Sequence, residues 1–102
     1  MTVRHGVIAQ VEIAEALHRY RASSDQTART FLSRLDGAVE RILAGPRTYP
    51  LTERGRRGRD IRYITLDKFP YALIYEVLED EVVVVALWPT MSRGEDWSRR
   101  EV

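Results

Sequence analysis

Ile61-Arg62-Tyr63-Ile64-Thr65-Leu66, Tyr71-Ala72-Leu73-Ile74-Tyr75-Glu76-Val77-Leu78 and Val82-Val83-Val84-Val85-Ala86-Leu87-Trp88 are three apolar runs, separated by the short segments Asp67–Pro70 and Glu79–Glu81. β-Branched and aromatic residues dominate them, which predicts three strands. Links this short predict an antiparallel meander. Pro89 closes the last strand, since proline has no N–H to give a ladder.

Working upstream, residues 45–60 hold Gly45, Pro46, Pro50, Gly55 and Gly58 and read as loop. Before it, Ala28, Phe31, Leu32, Leu35, Val39, Ile42 and Leu43 form a stripe at helical spacing. Gly45-Pro46 supplies the stop. Ser23 with Gln26 three residues on fits a capping box, with Ser23 as the cap. Residues 8–20 predict an earlier helix, with Ile8, Val11, Ala14, Leu17 and Tyr20 on one face. A strand reaching Ile13 competes with its start. A short strand is expected near residues 2–6, interrupted by Gly6. The order is β-α-α-β-β-β. It predicts an α+β fold in which a helix hairpin packs on one face of a small antiparallel sheet.

That architecture raises a covering problem. A sheet with one wet face alternates apolar and polar residues. Here Leu73, Tyr75 and Val77 point one way, Ala72, Ile74 and Leu78 the other, and Val82–Leu87 is apolar on both sides. Two helices cover one face. The tail, a second copy or another protein must cover the other, and a partner is the favoured reading over the tail alone.

The chain has 102 residues, 44% hydrophobic and 30% charged, which predicts a single soluble domain over residues 1–102. No apolar run is long enough to span a bilayer, and the start has no signal-peptide pattern. There is no cysteine, hence no disulfide framework and no thiolate metal site. A cytoplasmic protein without membrane association is expected. Net charge is +1 but unevenly spread. Residues 52–68 carry six basic and three acidic side chains, and residues 69–88 carry four acidic and no basic ones. A basic stripe suits nucleic acid or an acidic protein surface, or is simply a solvated arginine-rich loop.

Few groups suit acid–base chemistry. His5 and His18 have no partner at metal or triad spacing, and Glu79-Asp80-Glu81 reads as a solvated turn. No metal or cofactor is expected. What remains is a set of cations and aromatics: Arg54, Arg56, Arg57, Arg59, Arg62, Lys68, Arg93, Trp88 and Trp97. Arginine offers a bidentate fork for phosphate or carboxylate, and aromatics offer stacking faces. Simpler roles stand beside these. Arg62 can pair with Asp60 or Glu76, Lys68 can be a turn residue, Trp88 can be core, and Trp97 can fold back on the bare sheet face.

The ordered set Ile61-Arg62-Tyr63-Ile64, Lys68-Phe69-Pro70-Tyr71-Ala72-Leu73-Ile74-Tyr75-Glu76-Val77, an acidic turn and Val82–Ala86 resembles the ParE/RelE toxin superfamily. Arg93, Trp97 and Arg100 look like its short basic tail, and Tyr20, Ala28–Phe31–Leu32 and Pro46 fall where its helix hairpin and following proline lie. The resemblance implies a toxin of a type II toxin–antitoxin system, acting in growth inhibition and plasmid stabilisation and neutralised by a cognate antitoxin protein. Tyr20, Leu35, Tyr71 and Tyr75 are the antitoxin-binding positions it implies. Arg62, Lys68, Arg93 and Trp97 are the implied target-binding positions.

RelE-like members cut mRNA on the ribosome, whereas ParE-like members bind and poison DNA gyrase. For ribonuclease chemistry the cations would be Arg62, Lys68 and Arg93. However, Trp88 stands where many members carry histidine, and Trp97 where ribonucleases place tyrosine or histidine. Neither indole exchanges a proton, and arginine stays protonated. The ParE-like reading, without catalysis, is therefore favoured. The alternatives are the mRNA endoribonuclease and a non-toxic relative that retains only antitoxin binding.

Overall fold

In the computed structural model, which describes residues 1–52, 58–92 and 96–100, the elements run β1 (Thr2–His5), α1 (Val7–Ser23), α2 (Asp25–Ala44), β2 (Ile61–Thr65), β3 (Tyr71–Val77) and β4 (Glu81–Pro89), followed by a 3-10 turn at Asp96–Arg99. The sheet order is β1-β4-β3-β2. The three later strands form the expected antiparallel meander. The sheet is nevertheless mixed, because β1 joins β4 in parallel with Thr2 opposite Glu81 and His5 opposite Val84. Crossing back through the helix hairpin returns the chain in the sense that parallel pairing requires.

Two features of the hairpin differ from the expected ones. The cap between the helices is Ser24 rather than Ser23. Its Oγ accepts from the Thr27 N–H at 3.0 Å, while its own N–H donates to the Tyr20 carbonyl at 2.9 Å. One extended residue thus ends α1 and starts α2. Gln26 has no capping role, and its side chain donates to Thr30 Oγ1 instead. The buried face of α1 also differs. Ile8 and Val11 are exposed, and the sheet side carries Ala9, Ile13, Ala16, Leu17 and Tyr20. A strict three-residue spacing slips by about 60° per step on a helix of 3.6 residues per turn, so Ile8 and Leu17 lie on opposite sides. Ala9 and Ala16, both fully buried, let the α1 backbone approach the sheet.

The strand starting at residue 2 stops before Ile13, because Gly6 turns the chain. Its N–H donates to the Val84 carbonyl, and helix begins at Val7. α2 keeps most of its expected stripe, with Ala28, Phe31, Leu35 and Ile42 buried, and stops at Gly45. Ala38 is buried as well, whereas Leu32 and Val39 are only partly covered and Leu43 is exposed.

The covering problem is answered largely by the chain itself. The helices seal one face over Leu73, Tyr75, Val77, Val82, Val84 and Leu87. On the other face Trp97, 1% exposed, packs with Ile61, Ala72, Ile74, Val85 and Ala86. The tail therefore takes the place for which a partner was favoured. An irregularity in register makes this possible: Ile74 faces Ala86 but Tyr75 faces Val84, so Val85 is an extra residue in β4. The bulge shifts the alternation by one, so that Val85 and Ala86, adjacent in sequence, both face Trp97 while Val82, Val84 and Leu87 face the helices.

Candidate functional site

Arg62 is the second residue of β2, an edge strand of the sheet. Its Nε donates to Asp60 Oδ1 at 2.7 Å, and its Nη1 donates to the Arg47 and Tyr49 carbonyls at 3.0 and 2.8 Å. The guanidinium thus ties the loop after α2 onto the sheet. Arg47 Nε donates to the other Asp60 oxygen at 3.1 Å, so one carboxylate holds both arginines. Leu51, Gly58, Arg59, Asp60 and Arg62 border an open depression of about 340 Å³.

Arg59 is committed in the same manner. It grips Glu76 with two bonds of 3.0 and 3.1 Å and donates Nη1 to the Ser98 carbonyl at 3.0 Å. Glu76 is 8% exposed on β3, so this pair both compensates a buried carboxylate and pins the tail. The hydrogen bonds to Glu76 hold the Arg59 guanidinium above its ordinary pKa. The basic stripe expected between residues 52 and 68 is thus neutralised at Arg59 and Arg62. Arg54, Arg56, Arg57 and Arg93 lie outside the described residues.

Lys68 has a different setting. It is exposed at the tip of the β2–β3 hairpin with φ of 68°, a left-handed conformation that lysine adopts at a cost of roughly 1 kcal/mol and glycine does not resist. Phe69 follows it, half-buried against Tyr20 at 5.1 Å and Phe31 at 5.4 Å between ring centroids. Phe31 also meets Tyr71 edge-on at 6.2 Å, and Arg19 Nη2 donates to the Tyr71 hydroxyl at 2.6 Å. Burial, with a contribution from Tyr71, raises the Tyr20 pKa. Arg34 approaches Asp67 at 3.6 Å beside this corner. The hairpin tip therefore combines exposed charge with partly exposed rings.

Of the positions implied for antitoxin contact, the structure brings Tyr20 and Tyr71 together in this aromatic corner. Leu35 and Tyr75 are core residues, 6% and 0% exposed. The Tyr75 hydroxyl donates to the Pro46 carbonyl at 2.7 Å, and burial pushes its pKa up to about 12. Neither presents a surface to a partner in this conformation. Trp97 likewise packs inward, so a target contact through it would require the tail to lift. Trp88 is half-buried at the end of β4, with the Arg100 guanidinium 5.8 Å from its ring centre.

Three residues organise these surfaces, and of them only Arg100 is expected from the sequence, as part of the basic tail. Glu12 and Arg100, 88 positions apart, form a bidentate pair at 2.8 and 2.9 Å. Glu12 also accepts from the Leu87 N–H at 3.2 Å, and Arg100 donates to the Val85 carbonyl at 2.8 Å. The pair satisfies the β4 edge beyond the reach of β1, as a neighbouring strand would. Arg19 is the third. Phe69 could have been found, since an aromatic before Pro70 at a turn calls for packing. Among the described residues no group of His, Asp or Glu is placed to hold a metal, and no helix is long and apolar enough to cross a membrane.

Fold and surface define a small α+β protein whose mixed sheet is shielded by a helix hairpin on one face and by its own tail on the other. A chain described as "Chromosomal ParDE TA system from P. aeruginosa" is similar in fold, with a TM-score of 0.70 and 13% sequence identity over 87% of this chain and 95% of that one. Residues 9–94 match the family model described as ParE toxin of type II toxin-antitoxin system, parDE, and the chain belongs to that family. Among curated protein sequences none matches it.

Proposed function

We propose that this protein is a cytoplasmic toxin that inhibits DNA gyrase by binding it, without catalysis, and that a cognate antitoxin neutralises it. The observation that carries this reading is the state of Arg62. Its guanidinium is occupied by Asp60 and two loop carbonyls, so it is spent on the fold rather than left to stabilise a phosphorane. Lys68 remains as an exposed cation, held in a backbone conformation that favours glycine. A strained residue at an exposed tip fits a side chain used for contact. Tyr20 and Phe69 beside it, backed by the buried Tyr71, offer partly exposed rings for an antitoxin segment.

Inducing the chain alone in bacteria, with DNA and protein synthesis labelled in parallel, tests the reading. DNA synthesis should fail first, and the purified protein should inhibit supercoiling by gyrase. Prior arrest of protein synthesis with cut mRNA would establish the ribonuclease instead, and no arrest would leave a non-toxic antitoxin binder. Lys68→Gly should keep or raise stability while lowering toxicity at least tenfold. Undiminished toxicity in that variant would remove Lys68 from the contact surface.

A further inference from the structure

α2 carries a groove of about 710 Å³ opposite its buried stripe, bordered by Arg29, Ser33, Arg34, Asp36, Gly37 and Glu40, with Leu32 among them. Gly37 forms its floor. A Cβ built there meets nothing within 4 Å, so no intramolecular contact requires glycine. Its φ is not in the left-handed range either. Glycine in a helix interior costs about 1 kcal/mol relative to alanine, and the monomer shows no return for it. A missing side chain on an outer helix face allows close approach by another backbone.

The charges on this face indicate what approaches. Arg29, Ser33, Asp36 and Glu40 are spaced four, three and four apart, which lines them along one face of the helix. Arg29 lies at one end and the carboxylates at the other, while Arg34, which also borders the groove, is turned to Asp67 at 3.6 Å. Asp36 and Glu40 make no ion pair among the described residues, and Arg29 contacts only the Gln26 side chain one turn back, at 3.1 Å. A twofold axis crossing between Arg34 and Leu35 sets Arg29 level with Glu40 of a second copy, Ser33 level with its Asp36, and Leu32 level with its Gly37. Each pairing then occurs twice, as an isologous contact demands.

We propose that the outer face of α2 is a self-association surface on which a second copy of this chain docks antiparallel. Arg29 and Glu40 pair across the interface at both ends, and Gly37 admits the partner helix. The contact is small and charged, so association is weak, in roughly the micromolar-to-millimolar range, and salt weakens it further. This surface adjoins the hairpin tip only at Arg34, which approaches Asp67, and it does not depend on the nature of the target.

Sedimentation equilibrium of the purified chain, with circular dichroism to verify folding, tests the proposal. The wild type should move from its monomer mass of 11.8 kDa toward twice that value with rising concentration. Arg29→Glu and Glu40→Arg should each weaken association at least tenfold, and the double reversal should restore it. Gly37→Leu should abolish it in a folded chain. A wild type that stays monomeric to about 1 mM overturns the proposal, including the case in which the groove serves a different protein. So does a double reversal that associates no better than its single parents, or association indifferent to all these changes.

Discussion

Tyr75 shows how one buried hydroxyl makes stability depend on pH. Burial lifts its pKa from the ordinary 10 to about 12. A group that holds its proton more tightly when folded contributes stability in full below pH 10, and this is lost as pH rises through the folded value. Alkaline unfolding should therefore steepen between pH 10 and 12, by an amount on the order of 2 kcal/mol from this residue. Tyr75→Phe should flatten that part of a urea-melt pH profile while lowering neutral stability by about 1 kcal/mol, because the Pro46 carbonyl loses its donor. At this same scale Arg62 could be read as a partner of Asp60 from their separation of two residues. Its grip on the Arg47 and Tyr49 carbonyls could not, because nothing in a sequence states where a loop will return. Arg59 with Glu76, and Glu12 with Arg100, were invisible for the same reason.

Among the elements, the hairpin joint rests on a single residue. Ser24 caps α2 through its Oγ while its backbone closes α1. Ser24→Ala should cost about 1 kcal/mol, equivalent to a fall of roughly 4–8 °C in Tm for a domain of this size, whereas Ser23→Ala should change Tm little. A larger effect at Ser23 would show that the cap lies one residue earlier. Strand existence was legible because apolar runs bounded by turn formers leave few alternatives. Helix α2 was legible because its stripe keeps a true helical period. α1 misled because Val7, Ile8 and Val11 are apolar yet exposed, and its real inner face relies on Ala9 and Ala16. Small residues carry little hydrophobic signal, and what selects them is the distance to the sheet.

For the molecule as a whole, the tail is the element that completes the core. Trp97 closes the second layer, Arg59 ties Ser98 to β3, and Arg100 meets Glu12 at the sheet edge. Trp97→Ala should cost about 3–5 kcal/mol in a denaturant melt and should raise binding of a hydrophobic dye, as Ile61, Ile74 and Val85 become exposed. A loss under 1 kcal/mol without dye binding would show that the tail is dispensable to the core. The sequence by itself determined the element order, the antiparallel meander, the α2 stripe and the doubly apolar character of β4. These follow from local periodicity and turn chemistry, which act over a few residues. Only the tertiary structure decided that β1 pairs in parallel, that Val85 bulges, that the tail rather than a partner covers the second face, and which cations are already committed. Each of these depends on groups brought together from distant parts of the chain, and burial with hydrogen-bond satisfaction is settled only when the chain has closed on itself.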